Sequence, residues 1–493
     1  MIKFGWAETD VTPKEKISLQ GEFYERVTNE VETPLTVTAL AIDADGEQTV
    51  FVSCDLVEIP TQTVEEVREK VNAPGLDPMK IIISAVHIHN SYTMPAMIPF
   101  PFEKGRNSLK MIMQYKPDDC VYVPEVTSDD CMTPDESEEY LVAAIAKTVE
   151  TAWATRAPGG YAAGFGRAAV GMNRRVCYSD GTAKMWGDAD TATFTELEGG
   201  NDNGVEMLFV YNDKKQLTGV LANIACPAQV MEQRSVISSD YWGKVKILLR
   251  EKYGKGIFLL PLCAAAGDQC PRDLIRWVEP ETPIKDPNVI RNNPKPRDAD
   301  PSMFDVKGTW KIGRRVFNEI EAALDEVTEI KTEAVHRHEV ETLKLPLRRV
   351  TDAECAAAKQ AMKDFFKGKT VLNYMDSAAL YVYAGTVLRH SLQEHNSILP
   401  IEVQYVRLGD LAFASNPFEL FLDYGNQIRA RSAARQTFLL QLTNGSLGYL
   451  PTEKAEKHGH YSAYVSSGYV GHEGGALLVS ETLEVINRLF DIV

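Results

Sequence analysis

The sequence is short of the features that bind a membrane or a nucleic acid. No uncharged apolar segment is long enough to span a bilayer, and the opening MIKFGWAETDVTP has neither a long apolar run nor a small-residue cleavage site. That start is expected of a cytoplasmic chain without stable membrane association. Positive charge is scarce: 52 Lys and Arg against 69 Asp and Glu leave a net charge of -17 over 493 residues. Polyanions and anionic lipid surfaces reward lysine and arginine, so this balance argues against nucleic acid and for a small-molecule substrate. Disulfide spacing is missing too. The eight cysteines, at 54, 120, 131, 177, 226, 263, 270 and 355, are scattered and are expected to be reduced thiols. No internal repeat and no linker composition divides the chain, and composition sets no oligomeric state.

What is present reads as one large α/β domain of mixed sheets flanked by helices. Strands are expected at Phe4 to Thr9, Leu35 to Asp43, Thr49 to Asp55, Glu206 to Tyr211, Leu217 to Cys226, Ile257 to Cys263, Lys331 to Leu345, Pro400 to Leu408, Leu411 to Ser415 and Thr437 to Thr443. Helices are expected at Thr61 to Val71, Asp135 to Trp153, Tyr241 to Tyr253, Val306 to Val327, Asp352 to Lys367, Ser377 to His390, Phe418 to Ser432 and from Gly475 onward. Two stretches, 95–134 rich in Pro, Asp, Met and aromatics and 276–305 rich in Pro, Asn and Asp, lack periodicity and are expected to be lids or inserts; the first starts just after the histidines described next.

Histidine is also scarce, with nine in the chain, yet two stand one residue apart at the end of the apolar run Ile81 to Ser91, IIISAVHIHNS. In an extended strand alternate side chains share a face, so His87 and His89 are expected to point the same way, about 7 Å apart. One metal or one substrate could meet both, and the carboxyl end of a buried strand is where open α/β sheets place ligands. The plainer alternative is a pair of imidazoles bonded to backbone at a strand end.

Read in order, seven stretches resemble the catalytic domain of neutral ceramidase, a zinc amidohydrolase family. SAVHIHNS resembles its SATHTHSGP, and MNRR, at Met172 to Arg175, resembles its INRSP. IACPAQV stands where the family has AVHPTSM, and GDQCPR, at Gly267 to Arg272, where it has GDVSPN. NPFELFLDYGNQIR is similar to its PGEFTTMSGRRLR, GYLPT to its HYITT, and the opening FGWAETDVTP to its GVGRADITGP. The resemblance covers nearly the whole chain. It implies a single catalytic domain over residues 1–493, without the β-sandwich that follows it in full-length ceramidases.

The resemblance implies one Zn2+ per chain, with His87, Glu419 and Tyr449 as ligands and His89 facing the substrate. The family's second zinc histidine falls on Cys226, in a register supported by Ser239 and Asp240 downstream. A thiolate is a good zinc ligand, so Cys226 either completes the set or is an inert buried thiol, with Gln229 or water in its place. The family's catalytic serine falls on Cys270. Either Cys270 attacks an amide carbonyl while His89 and Tyr449 stabilise the oxyanion, or a metal-activated water attacks and Cys270 lines the pocket. Asn173, Arg174 and Arg272 are the candidate substrate-binding residues, and arginines in the site would favour a polar substrate. The expected function is a zinc-dependent hydrolase of an amide or related acyl bond. The alternatives are a non-catalytic binding protein on the same scaffold and a relative that has moved to carbohydrate chemistry.

Overall fold

A computed structural model describes residues 1–44, 46–95, 106–124, 128–278, 298–299, 305–394 and 397–492. Its centre is an eight-stranded sheet. In chain order its strands are β1 (Ile2–Asp10), β2 (Thr36–Ala44), β3 (Glu47–Cys54), β4 (Ile81–Ala85), β5 (Ala157–Arg167), β6 (Gly204–Asn212), β7 (Leu217–Ile224) and β8 (Phe258–Cys263). They lie in the order β8-β7-β6-β5-β1-β2-β3-β4. The pairs β7/β8 and β3/β4 are parallel and the remaining pairs antiparallel. A second, four-stranded sheet follows: β9 (His336–Pro346), β10 (Ile398–Leu408), β11 (Leu411–Ser415) and β12 (Gln436–Leu440), with only β11/β12 parallel.

The sheets pack face to face, and that packing explains the near-continuous apolar runs. In β3 and β4, Phe51 and Ile82 point toward the second sheet, where they join Val406, Phe413 and Phe438. Their neighbours Val50, Val52, Ile81 and Ile83 point the other way. Strands buried on both faces have no room for polar alternation. Phe413 stacks on Phe438 with centroids 4.5 Å apart and meets Phe51 at 4.9 Å.

Helices cover both outer faces. The first sheet is covered by α1 (Thr61–Lys70) and α3 (Pro134–Ala154) over one half. Its other half lies under α4 (Asp240–Tyr253) and α5 (Asp305–Asp325). Between α1 and α3 in sequence lies α2 (Arg106–Met113). It packs with α6 (Asp352–Phe365) and α7 (Tyr374–Leu392) in a smaller core around Ile112, Met362, Leu380 and Ala384. The second sheet lies under α8 (Leu422–Arg431), the short α9 (Glu453–His458) and α10 (His472–Leu489). The expected mixed α/β architecture is borne out.

Several boundaries differ for identifiable reasons. α3 starts at Pro134 because Thr133 and Glu136 form a reciprocal capping box. The helix expected from Phe418 begins only at Leu422, since Glu419 and Leu420 pair instead as a short parallel strand with Tyr449 and Leu450. Most of the two lid segments, 96–105, 125–127, 279–297 and 300–304, lies outside the described residues. Within the first, 106–113 is helical and Val121–Val123 pairs in parallel with Val371–Asn373. Among the described residues no helix is long and apolar enough to cross a membrane, and all eight cysteines are free.

Candidate metal centre

The parallel strands β4, β7, β8 and β12 all discharge their carboxyl ends toward one region, the usual ligand-binding edge of such sheets. β4 stops at Ala85, so the histidines do not continue it. His87 adopts a left-handed φ of 61°, which a non-glycine residue holds only when its surroundings impose it. Here backbone bonds on either side do so: Val86 N donates to Cys54 O and Ile88 N to Leu56 O. The consequence corrects the expectation of a shared face. The two rings lie edge to face, 4.9 Å apart, and turn to different carboxylates.

His87 faces Glu419. Its Nε2 lies 3.5 Å from Glu419 Oε2, and its Nδ1 is 3.0 Å from Val57 O. A carbonyl only accepts, so Nδ1 carries the proton of the neutral ring and Nε2 presents a lone pair. Burial, only partly offset by the Glu419 charge, pulls the imidazole down to about 4, so the ring is neutral at neutral pH. Glu419 is delivered by its short strand directly beside Tyr449, with Glu419 N donating to Gly448 O at 2.9 Å. The Gly267 turn presses against the same backbone, where a Cβ would lie 2.3 Å from Glu419 O.

Arg174 closes this group. Its Nη2 donates to Gly267 O at 3.0 Å and to Tyr449 Oη at 3.3 Å, and lies 3.9 Å from Glu419 Oε2. Burial opposes the guanidinium charge, but Tyr449, Glu419 and Cys270 outweigh it and raise the pKa. Burial and the Glu419 charge push Tyr449 well above its ordinary value. Tyr461 hydrogen-bonds the Tyr449 hydroxyl and stacks against its ring, edge to face at 5.4 Å.

His89 faces a different pair. Its Nδ1 lies 3.3 Å from Glu232 Oε2, and Glu22 completes a group whose donor atoms all lie within 4.8 Å of one another. Burial and the Arg26 and Arg174 charges take His89 down to about 3. Among the described residues the other such group is Cys177, Glu198 and His458, in which Arg175 already pairs with Glu198.

The remaining candidates lie in the protein interior. Cys226 is fully buried, donates weakly to Pro227 O at 3.5 Å, and belongs to neither group. Burial and neighbouring thiols push its pKa well up. Cys270 is also fully buried; its Sγ donates to Arg272 O at 3.3 Å, and burial pushes the thiol up to about 12 despite Arg174. Asn173 bonds Asp268 Oδ2 through Nδ2 and the Arg175 N–H through Oδ1. Arg272 is 2% exposed and lies with its guanidinium over Trp186 at 5.4 Å.

A cavity of about 330 Å³ opens on Glu419, Tyr449 and Tyr461. Its far wall is apolar, built by Phe23 and by Ala378, Tyr381, Val382 and Leu388 of α7, with Ser108 of α2 at its edge.

Against solved structures, the chain superposes over its whole length on neutral ceramidase from Pseudomonas aeruginosa, covering 75% of that chain at a TM-score of 0.66 and 16% identity. The chain has the fold of neutral ceramidase. It also superposes over its whole length on a ceramidase complexed with C2, covering 76% of that chain at a TM-score of 0.65 and 14% identity. No protein-family model and no curated protein sequence matches the chain. The resemblance read from SAVHIHNS, GDQCPR and GYLPT is thus borne out, at an identity that speaks for the ceramidase fold alone. Glu22 and Glu232 beside His89, and Tyr461 beside Tyr449, are neighbours of the candidate residues that sequence reasoning did not single out. Glu22 and Glu232 come from irregular turns with no periodicity to flag them, and Tyr461 follows Tyr449 by twelve residues without a motif of its own.

Proposed function

We propose that the chain is a metal-dependent hydrolase cleaving an amide or related acyl bond in a substrate with an apolar acyl arm. The observation that carries this reading is the facing pair His87 Nε2 and Glu419 Oε2. Two lone-pair donors 3.5 Å apart repel unless a cation lies between them, and about 3.3 Å is the spacing of two ligands on one tetrahedral zinc with bonds near 2.0 Å. His87, Glu419 and Tyr449 would hold the ion. The Val57 carbonyl fixes the His87 tautomer, as outer partners of metal histidines do.

When bound, zinc supplies a Lewis acid for the scissile carbonyl and a lowered pKa for water. The chain's own residues supply the rest. Arg174 holds the Tyr449 oxygen and faces Glu419, keeping both oxygens oriented in a dry site. The apolar wall of the cavity fits an acyl chain and excludes water from it. Because Arg174 and Arg272 are engaged inside the protein, they do not by themselves select a polar substrate. Cys270 is fully buried, bonded through Sγ to Arg272 O and outside the cavity lining, and on this reading it is a structural thiol while water attacks the carbonyl.

The test is turnover of a panel of N-acyl substrates of increasing acyl length. Wild type and Cys270→Ala should both hydrolyse the longer members, and His87→Gln and Glu419→Gln should fall to background. Inactivity of Cys270→Ala with full activity of Cys270→Ser would overturn the assignment of Cys270. Binding without turnover in the wild type would leave a binding protein on this scaffold.

A further inference from the structure

His89 is more than nine-tenths buried, and neither of its ring nitrogens has a hydrogen-bond partner. A buried imidazole with both nitrogens unsatisfied costs about 1–3 kcal/mol per group, so such an arrangement calls for a missing partner. Its surroundings indicate the kind. Glu232 Oε2 lies 3.3 Å from Nδ1, at the spacing of two ligands on one ion, yet the pair forms no hydrogen bond. Glu22 brings a second carboxylate within 4.8 Å of both. We propose that His89, Glu232 and Glu22 hold a divalent cation of their own, beside the His87–Glu419 pair, so that the two histidines of the HxH motif serve two different ions.

Three features of the fold support a built site. The first is Arg26, whose guanidinium ties together the segments that carry the ligands. It donates to His89 O and Glu232 O at 2.6 Å each, to Gln20 O at 3.0 Å and to Arg234 O at 3.1 Å. Four of its N–H groups are thus spent on carbonyls. The second is Gly21, at φ +113°, which lies against the ring so closely that a Cβ there would fall 2.5 Å from His89 Cγ. The third is the fixing of the Glu232 turn. Met231 N donates to Asp240 Oδ2 at 2.9 Å, and Asn90 Nδ2 donates to Arg234 O and Val236 O.

The two centres are linked. Gln229 Nε2 donates to Glu232 Oε2 at 2.9 Å, while its Oε1 accepts from Arg174 Nη1 at 3.4 Å. Glu22 and Glu232 bring two carboxylates that a dication would neutralise, and these offset the Arg26 and Arg174 guanidiniums that also act on His89. One nitrogen and two carboxylate oxygens suit zinc or manganese.

The inference is independent of the hydrolase reading, and one titration separates them. Chelator-treated full-length protein is titrated with Zn2+, and in parallel with Mn2+, by calorimetry, with the bound metal counted after desalting. Wild type should take up two equivalents of Zn2+. Glu22→Gln/Glu232→Gln should take up one, and Glu419→Gln should also take up one. Glu232→Gln alone, which keeps a partner for Gln229, provides the same readout with less disturbance of the turn, and circular dichroism confirms that each variant is folded. Equal stoichiometry in wild type and in both folded Glu232 variants would overturn the second site. Loss of an equivalent in those variants but not in Glu419→Gln would uphold it and instead count against the His87–Glu419 centre.

Discussion

Acidification probes the neutral state of His87 and His89. Burial holds them at about 4 and about 3, against an ordinary 6.5. Below pH 6.5 the unfolded chain binds protons at these positions that the folded chain does not. The associated stability is therefore fully present above pH 6.5 and is lost as pH falls toward 4. Between pH 7 and pH 5 each residue costs the metal-free protein about 2 kcal/mol, or about 4 kcal/mol together. Both side chains are about nine-tenths buried, so solvent screening removes little of this. Buried Asp240 and Asp268, held at about 7 and about 6, work in the opposite direction. The clean quantity is therefore a difference. Urea unfolding of chelated wild type and of His87→Gln/His89→Gln at both pH values should show the variant losing about 4 kcal/mol less on acidification. Parallel pH dependences would refute the claim that these imidazoles are buried and uncharged.

Other perturbations have defined outcomes. Arg174→Met removes a buried cation that serves Tyr449, Gly267 and Glu419, and should lower metal-free stability by about 3–5 kcal/mol in urea titration. Gly21→Ala forces a left-handed alanine against His89, and its stability should fall by about 2 kcal/mol or more, measured the same way. Phe413→Ala empties the contact between the two sheets and should cost about 3–5 kcal/mol without altering metal stoichiometry.

The fold was legible in the sequence where burial is two-sided. The TVFVSC and IIISA runs read as strands because both faces are covered, and the α3 start was marked by its acidic first turn. Glu419 was harder: taken locally it reads as the first turn of a helix, and only its pairing with Tyr449 makes it a strand residue. The histidine pair was found but its geometry was not, because a left-handed residue at His87 breaks the strand alternation on which the reading rested. Glu232 and Glu22 were illegible for another reason. Their role comes from three segments distant in sequence, brought together by one arginine whose bonds are all to backbone carbonyls.

Metal dependence is tested most directly by hydrolysis of a long-chain N-acyl substrate before chelation, after it, and after zinc is restored, with metal content counted by mass spectrometry at each stage. Activity that disappears with the metal and returns with zinc in wild type, but not in Glu419→Gln, is the predicted result. Undiminished turnover by protein from which all metal has been removed would contradict it.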